Sequence, residues 1–122
     1  MVSKEQAQTA MLGFRFSMGA AAWLAPKLVG KIFDIDPKEN PALPFVGRLY
    51  AARNVALGAA TMSAEGQARD RLLQLGAGID VADGLAAILA GFSGQLSKRA
   101  ALMAGVTAAS AAAIGYLGGR AD

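Results

Sequence analysis

Five ionisable side chains interrupt otherwise apolar stretches of this 122-residue chain: Arg15, Arg48, Arg53, Asp80 and Asp83. A charge near the centre of an apolar helix costs about 2.5–3.5 kcal/mol when that helix enters a membrane. Three such charges left unpaired would cost roughly as much as the whole stability of a small domain. We therefore expect these side chains to face inward and to bind one another.

Their spacing predicts which of them meet. Asp80 and Asp83 are three residues apart, so on a helix they share one face. In an antiparallel arrangement Arg53 lies at the same depth in the bundle as the two aspartates. Arg15 lies within about one helical turn of the level of Asp80. We predict that Arg53 pairs with both aspartates and that Arg15 joins them. Arg48 lies nearer the opposite surface, which its long side chain is expected to reach.

The charged cluster has two interpretations. As a structural feature, it is a buried network that fixes the alignment of the helices, to which Asn54 adds an interhelical hydrogen bond. As a functional feature, it lines a polar cavity for a ligand, a proton or a lipid head group. Three arginines against two aspartates leave a surplus positive charge, which suits an anionic or carbonyl-bearing ligand. The candidate site residues are Arg15, Arg48, Arg53, Asn54, Asp80 and Asp83.

The composition excludes several other classes of site. The chain has no histidine and no cysteine, which removes the commonest general base, the commonest metal ligands and disulfides. No phosphate-binding glycine loop or dinucleotide fingerprint is present, and the acidic loop at residues 34–40 lacks the spacing of a calcium site. The net charge of +3 is not gathered into a basic patch. We expect no metal, no cofactor and no nucleic-acid partner.

Proline and polar residues divide the chain into four apolar segments, at about residues 7–32, 44–63, 72–92 and 100–118. No run alternates apolar and polar residues as a half-buried strand would. Each segment has about 20 residues, which as a helix span about 30 Å, the thickness of the apolar core of a bilayer. Short connections place successive helices antiparallel. The sequence predicts one all-α domain over residues 1–122, an antiparallel four-helix transmembrane bundle, with a kink or break at Pro26.

Membrane location is predicted from segment length and charge distribution. Charged residues make up 17% of the chain, against about 25% in soluble domains, and residues 100–119 contain no charge. A soluble helical interaction domain is the alternative, because the last segment is rich in alanine and glycine and inserts with nearly neutral energy. We expect the chain to lie in a lipid bilayer and to cross it several times. The loop charges do not indicate which end faces the inside of the cell.

Several short motifs together carry a resemblance to a known family. They are Gly13-Phe14-Arg15, Leu24-Ala25-Pro26, Asp36-Pro37, the segment from Arg48 to Gly58 that contains both Arg48 and Arg53, and Asp80-Val81-Ala82-Asp83. Together they resemble a family of small four-helix bacterial integral membrane proteins of unknown function, distantly similar to DoxX-like proteins. The resemblance covers about residues 10–118. It implies the four-helix membrane fold and a bacterial inner membrane location, and it implies no reaction.

The expected function is that of a binding or accessory subunit in the membrane. Recurrent small residues on the predicted helices leave room for a homo-oligomer or for docking on a larger membrane complex. One alternative is a transporter or proton-relay component that works as a homo-oligomer. Another is a membrane-embedded isomerase or cyclase with an aspartate as general acid, although neighbouring arginines oppose the protonated state that such an acid needs. The sequence identifies no catalytic residue.

Overall fold

The computed structural model describes residues 2–121. Within them the protein is all-α, as predicted, with five helices and no strand. The helices are α1 (Lys4–Leu24), α2 (Pro26–Ile32), α3 (Leu43–Ser63), α4 (Gly66–Phe92) and α5 (Lys98–Gly119). Four of the five are long, and α2 is a single short segment that follows α1 directly.

Local sequence signals explain where the helices begin. Ser3 accepts a hydrogen bond from the backbone N–H of Gln6, and the Gln6 side chain accepts one from the backbone of Ser3, so the two residues form a capping box at the start of α1. Pro26 lies in the first turn of α2 and ends α1 at the preceding residues. Ser97 caps α5 by accepting a hydrogen bond from the backbone N–H of Ala100.

The main departure from the predicted boundaries is the start of α4, which begins at Gly66 and not near residue 72. The charged residues that look like a loop in the sequence belong to the first turns of this helix, where Arg69 and Asp70 are half-buried and Arg71 is exposed. Arg69 explains the tight connection, because its guanidinium donates hydrogen bonds to the backbone carbonyls of Thr61, Met62 and Ala64 at distances of 2.8–3.1 Å. The end of a helix leaves its last carbonyls short of backbone donors, and Arg69 supplies donors here, although the Thr61 carbonyl also accepts from the backbone N–H of Ala64. Only residues 64–65 separate the two helices.

The long helices run antiparallel along the chain. At one end, here called the terminal end, Lys4 Nζ lies 3.0 Å from Asp70 Oδ2, and the Gln8 amide donates to the carbonyl of Gly118 at 2.9 Å. These contacts bring together the starts of α1 and α4 and the end of α5. The opposite end, here called the loop end, contains α2 and the connections at residues 33–42 and 93–97.

The helices do not pack equally against one another. The most extensive contact is between α4 and α5, followed by α1 with α3 and α1 with α5. In contrast, α3 and α4 are consecutive in the chain yet touch only sparsely. The two-residue connection joins them at the terminal end, and the space between them widens toward the loop end.

Small side chains fill the interior, and large apolar ones lie outside. The buried apolar residues are mostly alanines, and the larger ones include Met11, Pro26 and Leu73. The helix surfaces carry the large side chains, which include Leu24, Phe45, Leu49, Leu75, Val81, Leu85, Leu89, Phe92, Leu102 and Val106. Two helices, α4 and α5, are long and apolar enough to cross a membrane.

Close packing of α4 on α5 depends on glycine at position 91. A Cβ atom added to Gly91 would lie 2.6 Å from the Cβ of Ala101. The alanine side chain is a single methyl group, so no change of rotamer relieves this clash. Elsewhere on α4, Gly78 has no atom within 4 Å of the place that its Cβ would occupy. The two glycines therefore differ in packing while sharing one helix.

Gly91→Ala is expected to destabilise the protein by about 1–3 kcal/mol, because the added methyl group forces the two helices apart. Gly78→Ala is the matched control and is expected to stabilise it by about 0.5–1 kcal/mol, since alanine favours the helical backbone. Denaturant unfolding followed by circular dichroism measures both. Equal free energies of unfolding for the two variants would contradict the packing described for α4 and α5.

Candidate functional site

Arg15 on α1 is a buried charged residue that binds side chains from two other helices. Its Nη1 and Nη2 donate to Oδ1 and Oδ2 of Asp80 on α4 at 2.9 and 2.7 Å, a bidentate ion pair. Nη1 also donates to Oδ1 of Asn54 on α3 at 3.0 Å. The side chains of Arg15 and Asp80 are only 5% and 4% exposed. This network therefore joins α1, α3 and α4 in the interior.

Glycines make room for the guanidinium. A Cβ atom at Gly76, one turn before Asp80 on α4, would lie 2.8 Å from Nη2 of Arg15. At Gly58 on α3, an added Cβ would lie 3.2 Å from the Cβ of Arg15. A larger side chain at Gly76 would displace the guanidinium from its partners, whereas at Gly58 it would press on Phe16 and on the base of the arginine side chain.

Arg53 and Asp83 form a second, separate ion pair across the seam between α3 and α4. Arg53 Nη2 donates to Asp83 Oδ2 at 2.5 Å, and the side chains are 41% and 30% exposed. The guanidinium carbon of Arg53 lies 5.4 Å from the centre of the Tyr50 ring, within the range of a cation–π interaction. This pair closes the seam at the point where the two helices begin to diverge.

The predicted pairing is therefore corrected in one respect. Asp80 binds Arg15, which also binds Asn54, and Arg53 binds only Asp83, so the charges form two pairs and not a single cluster. The reason is helix rotation, since Asp80 faces α1 whereas Asp83, three residues later, faces the seam.

Arg48 takes no part in either pair. Its Nε donates to the backbone carbonyl of Trp23 at 3.1 Å, and its guanidinium carbon lies 5.9 Å from the Trp23 ring. Arg48 therefore binds one of the last carbonyls of α1 near the loop end, and the structure does not bring it to the other charged side chains.

A cavity of about 300 Å³ lies on the loop-end side of the two ion pairs. It is here called the cleft. Its wall is mainly apolar, and Tyr50, Asp80, Asp83 and Thr107 are its polar residues. The other lining residues are Phe14, Met18, Ala22, Pro26, Val29, Gly30, Phe33, Ile35, Leu43, Val46, Gly47, Ala86, Ala104 and Ala108. The cleft occupies the space left by the sparse contact between α3 and α4.

A second groove of about 350 Å³ lies between α4 and α5. Of the residues that line it, only Asp80 is polar, and Arg15 already binds both oxygens of that carboxylate. The groove therefore offers no free polar group to a ligand. The cleft, which carries Asp83, Tyr50 and Thr107, is the better candidate site.

Sequence reasoning offered a polar cavity as one interpretation of the charges, but it did not predict the mainly apolar wall of the cleft, and it missed two of its polar residues. Tyr50 is three and four residues before Arg53 and Asn54, so helical spacing places it on their side of α3. Thr107 is one of the few polar residues in the uncharged stretch at residues 100–119 of α5. Helical periodicity would have pointed to Tyr50, whereas nothing in the sequence signals that α3 and α4 separate.

No group of three metal-ligating side chains occurs within residues 2–121. Comparison with known proteins gives no relative: no family model, no curated protein and no solved structure matches the chain.

Asp80→Asn is expected to destabilise the protein by about 3–5 kcal/mol, because it leaves the Arg15 guanidinium buried without a counter-charge. Asp83→Asn is the matched control and should cost less, because its ion pair is partly exposed. Denaturant unfolding measures the difference.

Replacing both members of the buried pair, Arg15→Met with Asp80→Leu, should recover much of the lost stability, since no buried charge remains. A larger loss for Asp83→Asn than for Asp80→Asn would show that the buried pair is not the principal link.

Proposed function

We propose that the chain is a small multi-pass membrane protein whose four long helices cross the bilayer. We further propose that it acts as a binding or accessory subunit and holds an apolar or amphiphilic ligand in the cleft. The observation that carries the proposal is the placement of large apolar side chains on the outside and of alanines, glycines and an ion pair on the inside.

This distribution suits an apolar surrounding. In water, exposed apolar surface costs about 25 cal/mol of free energy per Å². Soluble proteins therefore bury most of their large apolar side chains. In a bilayer such side chains meet lipid tails, and helices associate instead through small residues that let their backbones approach. Leu85 and Leu89 on α4 and Leu102 on α5 are more than half exposed, whereas Gly91 and Ala101 form the contact between these helices.

The remaining charges divide between the two ends of the helices, as a bilayer requires. Apart from Arg15, Arg48, Arg53, Asp80 and Asp83, every Asp, Glu, Lys and Arg of the described residues lies near a helix end or in a connection. Those at the terminal end are Lys4, Glu5, Glu65, Arg69, Asp70, Arg71 and Arg120, and those at the loop end are Lys27, Lys31, Asp34, Asp36, Lys38, Glu39, Lys98 and Arg99.

Helix length supports the same proposal. The long helices have 21, 21, 27 and 22 residues, and about 20 residues span the apolar core of a bilayer. Arginines lower the hydropathy of α1 and α3, but Arg15 is neutralised by Asp80 and Arg53 by Asp83. A paired charge inside a membrane protein is far less costly than an isolated one.

The binding role rests on the position of the cleft. It lies where α3 and α4 separate, so in a bilayer a molecule dissolved in the lipid has direct access to it. Its volume of about 300 Å³ is at the lower end of the range for small-molecule sites. The proposal includes three further points. The protein lies in a bacterial inner membrane, it is similar to a family of small four-helix bacterial membrane proteins, and it assembles into a homo-oligomer or a larger complex.

A transporter or proton-relay component is the second proposal, and the Asp83 carboxylate in the cleft favours it. The Arg15–Asp80 pair lies on the terminal-end side of the cleft, so transport also requires this pair to open. Proton flux into proteoliposomes that is lost in Asp83→Asn and retained in Arg48→Gln would support it. Flux no greater than that of protein-free vesicles would exclude it.

Single-cysteine variants test the membrane arrangement, because the natural chain has no cysteine. We expect Val81→Cys and Val106→Cys, which lie on exposed apolar surfaces of α4 and α5, to resist a water-soluble maleimide in permeabilised vesicles. Lys38→Cys, in the connection at residues 33–42, should react readily. All three should react after denaturation in SDS.

Fractionation provides the independent control. The wild-type chain is expected to remain with membranes after extraction with alkaline carbonate. Recovery in the supernatant without detergent, together with equal maleimide rates at the three positions, would instead identify a soluble interaction domain.

A further inference from the structure

We propose that the ligand of the cleft is an uncharged apolar molecule that carries a hydroxyl group, and that this hydroxyl donates a hydrogen bond to Asp83. This inference rests on the proposed binding function and specifies its ligand class. It follows from which polar atoms in the cleft are already occupied, from the balance of charge around them and from the apolar wall.

Apart from the Tyr50 hydroxyl, which can donate or accept, the polar side chains of the cleft are acceptors. Asp80 uses both oxygens to bind Arg15, whereas only Oδ2 of Asp83 accepts a hydrogen bond from residues 2–121. Oδ1 of Asp83 is therefore open to a donor. The Thr107 hydroxyl donates to the carbonyl of Met103 at 2.8 Å, which leaves only its lone pairs for a ligand. A ligand with no donor would leave these acceptors without partners.

The charge balance favours an uncharged ligand. Arg15 neutralises Asp80 and Arg53 neutralises Asp83, so each carboxylate has its own counter-charge. No arginine or lysine lines the cleft. An anionic head group would face the Asp83 carboxylate without a cation, and a cationic one would add an unbalanced charge to an apolar space. The surplus arginine of the sequence, Arg48, adds no positive charge to the cleft, because it binds Trp23 outside the cleft.

The wall of the cleft determines the chemical character of the rest of the ligand. Phe14, Met18, Val29, Phe33, Leu43 and Val46 surround the space with apolar surface. They contact an alkyl, isoprenoid or ring system without specific polar interactions. Because the cleft is open between α3 and α4, a longer molecule places its hydroxyl at Asp83 while its far end extends into the lipid.

Photo-crosslinking of the full chain in phosphatidylcholine vesicles tests this inference. Four probes share one alkyl chain with a diazirine and differ only in the end group, which is a hydroxyl, a methyl ether, an ammonium or a carboxylate. Mass spectrometry quantifies labelling of peptides that contain cleft residues. We expect the hydroxyl probe to label them about tenfold more than the methyl ether, the effect of one hydrogen bond to a charged acceptor, and more than either charged probe.

Three variants make the result specific. In Asp83→Asn the amide oxygen takes the place of Oδ2 beside Arg53 and the NH₂ group faces the cleft, so the preference for hydroxyl over ether should disappear. Ala104→Leu, in the wall of the cleft, should reduce labelling by every probe. Ala109→Leu is the matched control on the same helix, because Ala109 lines the groove between α4 and α5 instead.

Equal labelling of the cleft by hydroxyl and ether probes would overturn the inference while leaving a binding function in place. Preference for the carboxylate or the ammonium probe would overturn it in favour of a charged ligand. Labelling that is uniform over the helix surfaces and insensitive to Ala104→Leu would overturn the inference and the binding role together. The membrane arrangement is tested separately by cysteine reactivity, so its failure is distinguishable from each of these outcomes.

Discussion

The Arg15 guanidinium is the group on which the arrangement of the helices depends. It extends from α1 into the interior, where Asp80 and Asn54 bind it from α4 and α3. A charge in such a place is tolerated only if its partners are held at the correct distance, so the network fixes how the three helices are rotated. Gly58 and Gly76 follow from the same requirement, since each leaves the space that the arginine fills. The interior thus combines one specific polar link with nonspecific packing of small residues.

The cleft is a consequence of the same packing. α1 and α5 lie between the other helices and hold α3 apart from α4, while the connection at residues 64–65 keeps them together at the terminal end only. Arg53 and Asp83 bridge the resulting gap where it begins. One ion pair therefore organises the interior, and the other marks the edge of a space with room for a ligand.

Much of the helical structure could be predicted from local signals, because caps and prolines act on neighbouring residues. Pro26 separates α1 from α2, as the sequence indicates. The start of α4 was predicted too late because charged residues such as Arg69 and Asp70 occur both in loops and on exposed helix faces. All five charges in the apolar segments were expected to face inward because of their cost there, but only Arg15 and Asp80 are buried, whereas Arg48 and Arg53 are exposed.

The partners of those charges could not be predicted as reliably. Depth along a helix follows from sequence position, and on depth alone Arg53 suits Asp80 as well as Asp83. The direction of each side chain depends on helix rotation, which tertiary packing determines. For the same reason the cleft and the role of Thr107 as an acceptor were not predictable, since both depend on how far α3 and α4 stand apart.

The separation in sequence between Arg15 and its partner has a consequence for biosynthesis. Asp80 follows Arg15 by 65 residues, so the ribosome completes α1 well before the residue that neutralises it exists. α4 and α5, in contrast, are consecutive, apolar and closely packed. In the proposed membrane arrangement, the guanidinium of the first helix therefore stays solvated until the fourth helix is made. The final placement of the first helix then follows the emergence of Asp80.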